Sequence, residues 1–289
     1  MKHPFLKSPQ SWRVLAVRWA ALLSAALFWL SACAVPGEAD PAQVDPTVPA
    51  VTLNVMAAAS LTGAFEELGA QFEKGHPGVR VQFNFGGSQQ LAQQLVQGAP
   101  VDVFASANQK QMEAVITAGR VEAGTARPFA FNRLVVVIPK ENPAGLRGLA
   151  DLARPGLKLV FAAPEVPVGQ YSLDFLAKAS AAGTWGADYG ARVQANIVSY
   201  EESVKSVLTK VALGEADAGI VYVSDITGPQ AARVWRMEIP DDLNVVAAYP
   251  MAPIRDSAHP ALAQAFVDWV LSEEGQAVLM KWGFIPVSQ

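Results

Sequence analysis

From residue 51 onward the sequence alternates between two hydrophobic periods, and that alternation limits the fold more than any other feature. Residues 51–57 are apolar and β-rich, and 62–75 then place Phe65, Leu68 and Phe72 on one helical face. In 79–85 Val79, Val81, Phe83 and Phe85 alternate with Arg80, Gln82 and Asn84, the period of a half-buried strand. Helix is expected over 89–97, strand over 101–105 and helix over 108–118, with Gly119 as a stop. Strands follow at 133–139 and 157–162, and a helix at 170–181. A second helix is expected at 202–213, where Val204, Val207, Leu208 and Val211 share a face. Strands at 217–223 and 243–249 precede two helices within 259–282, divided near Ser272. Alternating strands and helices predict an α/β fold with mainly parallel sheets, whose ligands sit beyond the carboxyl ends of the strands. A body of roughly 240 residues is long enough for two lobes.

The segment before residue 51 has a different character. Lys2, Lys7, Arg13 and Arg18 precede an apolar run at 19–32, WAALLSAALFWLSA. That run is shorter than the ~20 residues of a membrane-spanning helix and has the flanks of a secretory signal over residues 1–32. It ends in Leu30-Ser31-Ala32-Cys33, which resembles a bacterial lipobox, and Cys33 is the sole cysteine. Cleavage there would leave Cys33 lipid-anchored at the head of a periplasmic protein; cleavage just beyond would leave a soluble exported one. Pro36, Pro41, Pro46 and Pro49 make residues 33–49 an extended tether.

Several functions are disfavoured by composition. Four of the 22 Lys and Arg lie in the leader, so the rest of the chain carries 18 against 26 Asp and Glu, a net −8. Binding of nucleic acid, which needs a basic face, is not expected. One Cys and three His exclude a disulfide framework and argue against a metal site. His76 and His259 each precede a proline and read as surface turns. No nucleophile elbow, P-loop or dinucleotide fingerprint occurs.

Two serines stand out. Ser60 and Ser88 each follow a predicted strand and precede a predicted helix, the second after Gly86-Gly87. A helix N-terminus offers unpaired N–H groups that attract anions, and paired glycines permit close approach. Each serine alone reads first as a plain helix cap, and two such turns in adjacent β-α units shift the balance toward an anion site.

The strings Ala57–Thr62, Phe85-Gly86-Gly87-Ser88 and Gly98-Ala99-Pro100-Val101-Asp102-Val103-Phe104-Ala105-Ser106-Ala107-Asn108, in this order, resemble the molybdate-binding proteins of ABC importers. Asn132–Val137, Val166–Tyr171, Gly219–Asp225 and Trp282-Gly283-Phe284 continue the resemblance, which covers roughly 50–289. It implies a two-lobe type II periplasmic binding protein with its ligand in the cleft. Lobe one would be about 50–133 with 226–289, and lobe two about 134–225. It further implies that Ser60 and Ser88 donate through hydroxyl and N–H, Val168 and Val204 through backbone N–H, and Tyr222 through its phenol. Gly169 suits a tight turn beside Val168; Glu201 and Glu202 are expected to face solvent. Position 168 is Val where Ala is frequent in the family, which a backbone donor tolerates.

The expected function is therefore capture of molybdate or tungstate without catalysis, cofactor or metal ligand. The expected partner is an inner-membrane ABC permease with its cytoplasmic ATPase, and the protein would act as a monomer. A sulfate-type oxyanion-binding protein, a hydrolase with Ser60 as nucleophile and a structural envelope lipoprotein are the alternatives.

Overall fold

The computed structural model describes residues 51–227 and 229–287. The strands are β1 (Val51–Ala58), β2 (Val79–Gly86), β3 (Val103–Ala105), β4 (Arg127–Pro139), β5 (Leu159–Ala162), β6 (Ile197–Glu201), β7 (Ala218–Tyr222), β8 (Val234–Glu238), β9 (Val246–Pro253) and β10 (Ile285–Pro286). The helices are α1 (Thr62–Gly75), α2 (Ser88–Val96), α3 (Gln109–Thr117), α4 (Pro167–Ala182), α5 (Tyr189–Gln194), α6 (Val204–Ala212), α7 (Pro260–Leu271) and α8 (Glu273–Lys281).

The strands form a ladder in the order β2-β1-β3-β9-β4-β7-β5-β6, and the long strand β4 divides it. Its first half, Arg127–Arg133, pairs with β9, and β10 also adds to it. Its second half, Leu134–Pro139, pairs with β7 and β8. β4 is thus shared by two sheets, one per lobe. Parallel pairing links β1 to β2 and β3, and β5 to β6 and β7. All pairings of β4, and that of β3 with β9, are antiparallel, so the sheets are mixed rather than mainly parallel. The chain crosses between lobes along β4 and returns along β9 in the opposite direction, which forces that geometry.

The return comes later than the sequence suggests. Residues 234–238 pair with the second half of β4, so the chain stays with the second sheet until β9 rather than leaving it at residue 226. In Val234-Trp235-Arg236-Met237-Glu238 only Val234 is buried, which leaves no alternation to read.

The cores follow from periodicity. Phe65, Leu68 and Phe72 on α1 are buried against the first sheet, where Phe65 meets Phe83, Phe129 and Phe266 at ring separations of 6.0, 5.6 and 6.2 Å. Burial of each such ring stabilises by about 1.5–3 kcal/mol. Helix starts are capped by side chains: Asn108 Oδ1 accepts from Gln111 N, Ser203 Oγ from Ser206 N and Ser272 Oγ from Gly275 N. Each cap contributes ~1 kcal/mol. Gly119 ends the α3 segment at φ +74°, a left-handed conformation suited to glycine.

Candidate functional site

Four strand-to-helix turns converge at the carboxyl ends of parallel strands. β1 leads through a 3₁₀ turn at Ala59–Leu61 into α1, and β2 leads through Gly87 into α2. From the other lobe, β5 leads into α4 and β6 into α6. Between them lies a small cavity lined by Ser60, Gly87, Ser88, Val168, Val204 and Tyr222, with small or apolar neighbours. The structure thus brings Ser60, Ser88, Val168, Val204 and Tyr222 to one place from both lobes. No charged residue lines the cavity among the described residues.

The helix starts differ in detail from expectation. α4 begins at Pro167, with Val166 as cap, so Val168 and Gly169 lie within its first turn and not in a turn before it. Val204 is the first residue of α6, after the Ser203 cap. N–H groups at such positions have no acceptor inside the helix. Gly169 serves close packing: a Cβ there would lie 2.0 Å from the Ala163 carbonyl oxygen. Ser88 is the first residue of α2 rather than its cap.

The hydroxyls are arranged as donors. Ser88 Oγ accepts from the Ala107 N–H at 3.0 Å, which leaves its own proton for another acceptor. Ser60 Oγ is 2.9 Å from the Tyr249 hydroxyl. Tyr222 ends β7 with its ring buried; its hydroxyl has no hydrogen-bond partner among the described residues. The Tyr249 ring, centred 5.7 Å away, stands edge-on to it. Burial, reinforced by Tyr249, Tyr171 and Asp225, pushes the Tyr222 phenol well above its ordinary range. It therefore stays protonated and able to donate. Leaving such a buried hydroxyl unpaired costs ~1–3 kcal/mol, which an acceptor in the cavity would relieve.

Asp225 is buried just beyond the end of β7. Its Oδ2 accepts from the Tyr222 N–H at 3.1 Å, and Lys205 Nζ lies 3.1 Å from Oδ1 as an ion pair. Burial raises the Asp225 pKa, and the Lys205 charge opposes that rise.

Contacts across the cleft hold the lobes together. Gln89 Nε2 donates to the Glu202 carbonyl at 3.0 Å, Gln90 Nε2 to Glu202 Oε2 at 2.8 Å, and Gln111 Nε2 to the Glu165 carbonyl at 3.3 Å. Gly87 lies so close to the opposite lobe that a Cβ would be 2.4 Å from the Glu202 carbonyl oxygen. The acidic pair is thus not simply solvated. Glu202 is bonded across the cleft, and Glu201 pairs with Lys210 at 2.6 Å and with Ser199. The Lys210 and Ser199 hydrogen bonds and the Lys210 charge outweigh partial burial and hold the Glu201 carboxyl below its usual range.

Nothing in the sequence marks Tyr249, Ala107 or the cross-cleft glutamines as site residues. Tyr249 sits in a predicted strand with no motif around it, and the glutamines meet partners more than fifty residues away. The leader, the tether and Cys33 lie outside the described residues.

Known proteins share this architecture. The pattern of the family described as bacterial extracellular solute-binding protein matches residues 53–285. The molybdate-binding protein ModA of Mycobacterium tuberculosis is 43% identical over 239 residues, which are 83% of this chain and 86% of that protein. The periplasmic molybdate-binding protein of Azotobacter vinelandii superposes with a TM-score of 0.70 at 26% identity, covering 82% of this chain and 100% of that one. The sulfate-binding protein SubI of M. tuberculosis superposes with a TM-score of 0.73 at 20% identity, covering 82% and 88%, a likeness of fold alone. A family pattern that runs from β1 to β10 over a two-lobed frame, and a relative sharing two residues in five, make this chain a member of the bacterial extracellular solute-binding proteins.

Proposed function

We propose that the protein captures molybdate, and tungstate with it, and delivers the anion to an ABC permease. The observation that carries this reading is the make-up of the cavity: two serines, a buried phenol with no partner among the described residues and the first-turn residues of α4 and α6 line one small space with no charged side chain among the described residues. Ser60, Ser88, Val168, Val204 and Tyr222 are the proposed ligand contacts. A tetrahedral dianion offers acceptors on every oxygen, and several neutral donors at helix ends spread its charge without a counter-cation. Relatives named for molybdate support the choice of anion. Sulfate has the same shape and charge but shorter bonds, so donors fixed on opposite lobes hold it less well. For a hydrolase, Ser60 would need a base; its partner is the phenol of Tyr249.

Titration calorimetry with molybdate, tungstate, sulfate and phosphate tests the reading. Molybdate and tungstate should bind tightest, and a hundredfold excess over Kd should add about 2.7 kcal/mol of stability. Tighter binding of sulfate, or no heat with molybdate, overturns it.

We also propose a lipid anchor at Cys33, on the strength of the Leu30-Ser31-Ala32-Cys33 string and the proline-rich tether. The anchor holds the protein at a membrane surface on the periplasmic side. Cys33→Ala should move the protein from the membrane to the soluble fraction, because stable attachment needs the acyl chains. A wild-type protein that is already soluble and begins after Ala34 would refute the anchor.

A further inference from the structure

Behind Ser60 lies a chain of buried polar side chains that none of the proposed contacts includes. Tyr249 on β9 and Asn132 on β4 are fully buried, and neither lines the cavity. Asn132 Oδ1 accepts from the Arg133 N–H at 3.0 Å, so the orientation of its amide is settled by a backbone donor. Its Nδ2 faces Ser224 Oγ at 2.8 Å and the Tyr249 hydroxyl at 3.5 Å. An amide NH₂ group can only donate. The Tyr249 oxygen therefore receives from Asn132, and its single proton is left for Ser60 Oγ, 2.9 Å away. Ser60 in turn cannot send its own proton back. It points into the cavity.

From this polarity we infer that Tyr249, backed by Asn132, is a specificity-determining positioning residue, one that keeps the Ser60 proton directed at the ligand. The inference rests on the oxyanion reading above. Ser88 is held the same way by a backbone group, the Ala107 N–H. With both serine oxygens accepting from the interior, each hydroxyl proton is left for the ligand and points into the cavity. An oxyanion that carries a proton, such as hydrogen phosphate, must place it against hydroxyls already oriented to donate, whereas molybdate and sulfate carry none. Loss of the Tyr249 hydroxyl frees Ser60 to rotate and take such a proton. Burial keeps the Tyr249 phenol far above its ordinary pKa, so the donor persists at neutral pH.

The test measures Kd for molybdate, sulfate and phosphate on the wild type, Tyr249→Phe, Ser60→Ala and the double variant. The Tyr249 ring is held edge-on by Phe284 at 5.4 Å and Phe129 at 6.3 Å, so phenylalanine keeps the packing. Tyr249→Phe should lower the molybdate-over-phosphate preference by about tenfold and leave the molybdate-over-sulfate preference unchanged. In the Ser60→Ala background the same change should do nothing, since Tyr249 acts through Ser60. Asn132→Leu, which frees the Tyr249 hydroxyl to turn, should shift the phosphate preference in the same direction. Equal losses for all three anions, or full additivity with Ser60→Ala, overturn the inference while the oxyanion reading stands. A wild-type protein that binds none of the three overturns both.

Discussion

Gly87→Ala should abolish tight molybdate binding while leaving the ligand-free protein folded and as stable as its parent. Gly87 has φ −61° and ψ 131°, an extended conformation that alanine adopts without strain. The added methyl would meet the Glu202 carbonyl oxygen at 2.4 Å, and Glu202 belongs to the opposite lobe. Its other close neighbours are the amide atoms of Gln89, the movable end of a side chain. The clash therefore exists only when the cleft is shut. If the variant reaches the closed form less than one time in a hundred relative to the parent, apparent Kd rises by roughly 100-fold or more. A surface methyl in the open form should change stability by less than ~0.5 kcal/mol. Calorimetry measures the first quantity and thermal melting the second. Small-angle scattering should show the parent contracting with molybdate and the variant staying extended. A variant that contracts and binds like its parent would show that Gly87 does not gate closure.

Tyr222→Phe should separate affinity from stability. In the closed form the Tyr222 hydroxyl is buried with no partner among the described residues, so its removal sacrifices no hydrogen bond. The ligand-free protein should melt no lower than the parent. With an anion present the phenol becomes a donor to a charged acceptor, worth about 1.5–3 kcal/mol, so the variant should bind roughly 10- to 150-fold more weakly. Ser88→Ala gives a useful contrast. It removes a ligand donor and also strands the buried Ala107 N–H, so it should lose both affinity and ~1–3 kcal/mol of stability. A Tyr222→Phe protein that binds molybdate like the parent would remove the phenol from the site.

These sites were legible to different degrees, for physical reasons. The α1 helix could be read to the residue because Phe65, Leu68 and Phe72 repeat with helical period and the strand that follows, β2, alternates cleanly. α5, six residues long, is too short to show a period, and β6 is an edge strand whose Val198 and Tyr200 are apolar yet exposed. Ser60 and Ser88 could be found because a hydroxyl at a strand-to-helix turn leaves a mark in the sequence. Val168 and Val204 leave none, since a backbone N–H has no side-chain signature, and they entered only through family resemblance. Tyr249 and Asn132 were out of reach because their role depends on which atom donates to which. That is a property of three-dimensional contact and not of spacing.

The sharing of β4 also sets an order of assembly. Every strand of the second sheet comes from the continuous stretch 134–238, so that sheet can form as soon as this stretch is available. The first sheet joins β1, β2 and β3 to β9 and β10, with Ile285 opposite Phe131. Closing so long a loop is slow, and it cannot begin until residues 246–286 are present. A chain emerging from a membrane channel in sequence order would therefore hold a finished second lobe beside an open-edged first one, with the β3 edge unpaired until β9 arrives. That interval is when the molecule is most exposed to aggregation and proteolysis.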